Sequence, residues 1–231
     1  MQPSLLNSTI DMDGSYGSLE SIDNGATSGA VEVVFRDIES RIVREIAKAD
    51  TVLGCVAWLT SLPILDALSR KWQVSIVVQK EDFLRPDSGR WQLQRQREAY
   101  AKLPSYYRLG NPRTHNYSFA TDPVDDAIRC AGMWAANSIY PRMHNKFLVL
   151  CRCATPPRPD DIGPNPYTPY AVITGSFNMS HNATNSLENI IIINDEKIAG
   201  AYAGEHATIY GISEPLDWEK PVVAPEYRIG T

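Results

Sequence analysis

The chain has no stretch approaching the ~18 consecutive apolar residues that a membrane-spanning helix needs. It opens "MQPSLLNSTIDMDGSYGS", with no basic segment followed by an apolar one. Neither a membrane protein nor a secreted precursor is expected, and a cytoplasmic location is. Cysteine is scarce: Cys55, Cys130, Cys151 and Cys153 are the only four in 231 residues, which argues against a disulfide framework. Two of them sit in or beside hydrophobic runs, where a thiol behaves as a small apolar group. The C-x-C spacing of Cys151 and Cys153 is shorter than the spacing usual in structural zinc sites, so no metal is expected there.

Positive charge is missing from the first 32 residues, which hold Asp11, Asp13, Glu20, Asp23 and Glu32 and account for the whole net charge of −5. Residues 1–29 are also rich in Ser and Gly and weak in periodicity, and are expected to form a poorly ordered acidic tail. The hydrophobic fraction of 43% is enough for one globular core, expected over residues 30–212, with residues 213–231 as an extended C-terminal tail.

What the chain does contain is an alternation of helix and strand patterns. "VFRDIESRIVREIAKAD" places Phe35, Ile38, Ile42, Ile46 and Ala49 three and four apart, an amphipathic helix. "TVLGCVAWL" and "WQVSIVVQ" read as buried strands on either side of a short helix, "SLPILDALSRK", with Ser61 as its N-cap. This order predicts adjacent parallel strands. "SGRWQLQRQREAYAKL" reads as a polar helix, and "AIRCAG", "HNKFLVLC", "YAVITGSFN" and "LENIIIIN" as strands. A closing helix follows, capped by Asn194 or Asp195. The fold class is α/β, a mixed sheet with helices on both faces.

"HNKFLVLC" begins with an imidazole and an ammonium two residues apart, which in a strand share a face. Ser176 and Asn178 have the same spacing at the end of "YAVITGSFN". If the two strands pair antiparallel around the Pro-rich loop between them, His144, Lys146, Ser176 and Asn178 meet at one sheet end. Histidine acts as nucleophile or as acid and base near neutral pH, and Lys with Asn can hold anionic oxygens. The chemistry points to a phosphate ester.

His144-x-Lys146, then Gly175-Ser176-Phe177-Asn178, then "NSLENIIII" resembles the phospholipase D superfamily, in particular its small single-motif nucleases. The resemblance runs from about Val34 to Tyr210, with the specific residues between 143 and 195. It implies that His144 attacks phosphorus to form a phosphohistidine and that Lys146 and Asn178 bind the non-bridging oxygens. It further implies that Ser176 supports that pocket and that Glu188 orients a catalytic imidazole, without metal or other cofactor. None of His115, His181 and His206 opens a second H-x-K, so the resemblance implies a homodimer whose two motifs form one site. The family pattern has Asp where this chain has Cys151, which puts full activity in question.

Residues 85–113 carry seven basic side chains against Asp87 and Glu98, interleaved with Trp91, Tyr100, Tyr106 and Tyr107. A solvated helix face is one reading. A phosphate-tracking surface with Arg90, Arg95, Arg97, Lys102 and Arg108 as substrate contacts, and aromatics for stacking, is the other. The expected function is a nuclease acting on DNA or RNA. A phospholipid hydrolase or phosphatidyl transferase, and a non-catalytic nucleic-acid-binding member, are the alternatives.

Overall fold

Every residue of "TVLGCV" is buried, and the sheet is organised around this strand. The computed structural model describes residues 8–10, 16–18, 23–81, 84, 91–105, 126–134, 141–156 and 167–222. Its strands are β1 (Ser8–Ile10), β2 (Tyr16–Ser18), β3 (Ala26–Ser28), β4 (Val31–Val34), β5 (Thr51–Val56), β6 (Gln73–Gln79), β7 (Ile128–Ala131), β8 (Lys146–Cys153), β9 (Tyr167–Gly175) and β10 (Ile190–Ile193). The helices are α1 (Ile38–Ala47), α2 (Leu62–Ser69), α3 (Trp91–Tyr100) and α4 (Glu196–Gly211). β1 and β2 pair with each other, and the other eight strands form one sheet in the order β3-β4-β10-β9-β8-β5-β6-β7.

β5 runs parallel to β6, joined by α2, and antiparallel to β8, so the sheet is mixed as expected. Side chains alternate between its faces. Val52, Val56, Leu148 and Leu150 face the layer that contains Ile38, Ile42 and Ile46 of α1 and Ile64, Leu65 and Leu68 of α2. Leu53, Cys55, Phe147 and Val149 face Ala199, Ala203, Ile209 and Tyr210 of α4. Both faces are thereby covered. At Gly54 a Cβ would lie 2.7 Å from Leu148 Cδ2 and 2.8 Å from the Phe147 carbonyl oxygen, so glycine is what lets β5 and β8 approach.

Local signals explain most boundaries. Ser61 Oγ accepts from the Ile64 amide at 3.3 Å and itself donates to Glu39 at 2.7 Å, which starts α2 and ties it to α1. Asp195, rather than Asn194, caps α4 by accepting from the Ile198 amide at 2.8 Å. The helix expected from Val34 starts only at Ile38, because Val31–Val34 is a strand that pairs with β10. Its β-branched residues complete the sheet beside four isoleucines, a tertiary demand that helical periodicity does not register.

The end of the acidic segment also belongs to the sheet: Ala26–Ser28 pairs with β4 as an edge strand. Beyond α4 the chain packs back onto the body. Glu214 exchanges backbone hydrogen bonds with Cys130 of β7, and Trp218 is buried. Lys80, with no exposed surface, ion-pairs with Glu214 and donates to the carbonyls of Lys220 at 2.8 Å and Val222 at 3.0 Å. Among the described residues no helix is long and apolar enough to cross a membrane.

His206 of α4 is buried against β6, with Nε2 3.2 Å from Ser75 Oγ. Burial holds its pKa down to about 4 from an ordinary 6.5. The unfolded chain therefore binds the extra proton first, and stability falls as pH drops through that interval, by on the order of 3 kcal/mol in full. Urea unfolding followed across the interval should show this slope in the wild type and a flatter one in His206→Gln.

Candidate active site

The register decides which side chains meet. Phe147 pairs with Thr174, Lys146 with Val56, and Ile190 with Gly175, so the start of β8, the ends of β5 and β9 and the start of β10 share one end of the sheet. The segment entering β8 is held on both sides. The Met143 amide donates to Gln79 Oε1 at 2.7 Å, and the Asn145 carbonyl accepts from the Ala57 amide at 2.9 Å. Between these anchors the His144 side chain is exposed, while Lys146 is half-buried.

Lys146 Nζ lies 3.2 Å from Nδ1 and 3.3 Å from Nε2 of His144, and donates to the His144 carbonyl at 3.1 Å. The expected pair is thus formed. Partial burial, then the Lys146 ammonium, then the Arg142 guanidinium hold the imidazole below its usual pKa. The neutral ring, with a free lone pair, is the nucleophilic form. Lys146 is itself lowered by burial, opposed by the nearby Glu188 carboxylate.

The second strand end is built by a tight crossing. At Gly175 an added Cβ would strike the Asn189 carbonyl and lie 2.8 Å from Ile190 Cα. Glycine lets β9 turn over the entry to β10, where the Ser176 amide donates to the Asn189 carbonyl at 3.1 Å. Ser176 Oγ donates to Glu188 and accepts from the Asn189 amide at 3.1 Å. Phe177 is buried in the core and anchors the loop. Asn178 Oδ1 is buried with no hydrogen-bond partner among the described residues. An unmet polar group of this kind costs about 1–3 kcal/mol. Rotation about χ2 interchanges the ends of the carboxamide, so the position presents either an acceptor or a donor.

Within the chain the Glu188 carboxylate bonds Ser176, not His144. Cys151 lies elsewhere. It pairs with Thr51 and Pro169 at the far end of β8, five residues past Lys146, or about 17 Å at ~3.3 Å per residue. Packed under α4, its thiol is a core group with a pKa raised by burial. Cys130 lies on β7, three strands from β8.

The basic segment is only partly described. Arg90, Arg108, Tyr106, Tyr107 and the Trp91 side chain lie outside the described residues. Arg95 and Lys102 are exposed and Arg97 is half-buried, but Asp66 and Glu98 share a shallow depression with Arg95 and Lys102. Tyr100 is a correction to the expected stacking set. It is buried, its hydroxyl donating to the Leu59 carbonyl at 2.6 Å, because α3 needs an apolar anchor on α2 and the strand end. Gln96 Nε2 donates to the same carbonyl at 3.1 Å, so α3 is mounted on the loop between β5 and α2.

Four neighbours went unassigned from sequence: Trp58, Gln79, Glu81 and Asn189. The Trp58 ring meets His144 edge to face, with centroids 5.6 Å apart and planes at 83°. Its Nε1 donates to Glu81 at 3.2 Å. Trp58 and Glu81 follow β5 and β6 and Gln79 ends β6, so only the strand order brings these three beside β8, while Asn189 enters β10 beside the end of β9. Gly175→Ala should lower unfolding stability by about 2–4 kcal/mol in a denaturant titration, since the clash falls on backbone that cannot move aside.

No protein-family profile matches the chain. An uncharacterized protein of Acanthamoeba polyphaga mimivirus, L381, is 28% identical over 210 residues, covering 84% of this chain and 69% of that protein. Among solved structures, NucT from Helicobacter pylori superposes with a TM-score of 0.50 at 16% identity, covering 80% of this chain and 98% of NucT. Nuc from Salmonella typhimurium, a phospholipase D family member, gives a TM-score of 0.47 at 17% identity, covering 80% and 95%. With its mixed sheet covered by helices on both faces, and with one H-x-K and one G-S-x-N at a single sheet end, the chain is a phospholipase D-fold protein.

Proposed function

We propose that the protein is a metal-independent phosphodiesterase, and specifically a nuclease cleaving DNA or RNA through a covalent phosphohistidine. The observation that carries this reading is the Lys146 ammonium 3.2 and 3.3 Å from the two ring nitrogens of His144 at the sheet end, an imidazole held below its usual pKa. A ring nitrogen attacks phosphorus as the bond to the leaving oxygen breaks, while Lys146 and Asn178 hold the non-bridging oxygens. The leaving oxygen takes a proton from a second imidazole. That imidazole then removes a proton from the water that hydrolyses the phosphorus–nitrogen bond.

A second H-x-K is absent from the chain, so the second imidazole comes from another copy, in a homodimer with one composite site. Two features support this reading. Among the described residues nothing accepts a hydrogen bond from the His144 ring, and the Glu188 carboxylate bonds Ser176 rather than that ring. Nucleic acid is the favoured substrate because α3, with Arg95 and Arg97, is fastened to the Leu59 loop, which bridges to Met179 next to Asn178.

The protein and His144→Ala are incubated with single- and double-stranded DNA and RNA in EDTA. Cleavage by the wild type alone, with a trapped phosphohistidine and a dimeric particle by sedimentation, is the expected outcome. Turnover of phospholipid vesicles with intact polymers would replace the nuclease reading by a lipid one, and polymer binding without turnover by a non-catalytic one. Arg142→Gln removes a cation that lowers the His144 pKa. The acid limb of its kcat/KM profile should therefore move to higher pH, with rates matching the wild type on the alkaline side.

A further inference from the structure

The residues leaving β6 reach the His144 segment twice. Gln79 Oε1 accepts from the amide of Met143, the residue before His144, at 2.7 Å. Glu81 Oε1 accepts from Trp58 Nε1 at 3.2 Å, and the Trp58 ring meets the imidazole edge to face at 5.6 Å. Between them Lys80 is buried and locked to Glu214 and to the carbonyls of Lys220 and Val222. The backbone that carries Gln79 and Glu81 is therefore clamped.

An exposed imidazole turns easily, because χ2 of histidine is a broad, roughly two-fold torsion. A nucleophile at phosphorus must be held within about 10–20° of its line of attack. Among the described residues the polar contacts of the His144 ring are all to Lys146, whose ammonium lies almost equally far from both ring nitrogens and so selects neither. The group that opposes rotation of the ring is the Trp58 indole. An indole also rotates unless its N–H is fixed, and Glu81 fixes it.

We propose that Trp58, locked by its indole bond to Glu81, is a positioning residue that sets the plane of the His144 imidazole. The inference rests on the reading of His144 as nucleophile. Trp58 exchanges no proton and forms no bond in the reaction. It acts by restricting the ring to orientations from which attack is productive, so its effect belongs to kcat rather than to substrate affinity.

Glu81→Gln and Glu81→Leu separate the link from simple charge, since both remove the carboxylate and only Gln keeps an acceptor for the indole N–H. Kinetics in EDTA on the preferred polymer should place Glu81→Gln within about two-fold of the wild type in kcat. Glu81→Leu and Trp58→Phe should each lose about ten-fold in kcat, with KM nearly constant. The double variant Trp58→Phe with Glu81→Leu should lose no more than either alone, because both break one connection. Equal losses in the two Glu81 variants, multiplying losses in the double variant, or a change confined to KM would overturn the proposal. If the wild type cleaves no polymer, the nuclease reading fails, and the ring signals of ¹⁵N-histidine-labelled protein decide the positioning role separately. A His144 tautomer ratio and line width altered by Glu81→Leu but not by Glu81→Gln sustain it, and identical spectra for the three proteins overturn it.

Discussion

The antiparallel pairing of β8 with β9, in the register that sets Phe147 against Thr174, is the constraint on which the site depends. A slip of one residue would turn every side chain of β8 to the opposite face and carry Lys146 away from the end of β9. The register is specified because both faces of β8 are buried, Leu148 and Leu150 under α1 and α2 and Phe147 and Val149 under α4. The apolar part of "MHNKFLVL" therefore does more than fill the core. It locates the polar part.

Placing an ammonium beside an imidazole is unfavourable for the protonated ring. Burial first, and then the Lys146 and Arg142 charges, hold the His144 imidazole below its usual pKa. At the neighbouring strand end the polar groups are arranged differently. The Ser176, Glu188 and Asn189 groups satisfy one another and tie the end of β9 to the entry of β10, while among the described residues the buried Asn178 Oδ1 has no partner.

The segment beyond α4 takes part in the body of the protein. A lysine with no exposed surface is tolerated at the end of β6 because Glu214 and two carbonyls surround its ammonium. Removing one partner of such a pair leaves a buried charge, which is far costlier than the pair itself. The outer edge of β7 is covered by the same segment through the Cys130 and Glu214 backbone bonds, which blunts an edge open to pairing with another chain.

Much of the fold and the core of the site were legible in the residues themselves. The parallel β5–β6 pair, the cap of α2 by Ser61, the closing helix and the meeting of His144 with Lys146 all follow from local periodicity, capping chemistry and the two-residue repeat of a strand. Tertiary structure decided what depends on strand order. β4 became a strand because β10 needed a neighbour, and Tyr100 became a core anchor because α3 packs on the Leu59 loop. Trp58 and Glu81 became neighbours of a histidine far away in sequence because β5 lies between β6 and β8. Local sequence carries the preference of each segment for a conformation and a face. Which segments touch is settled only when all the apolar faces are buried together.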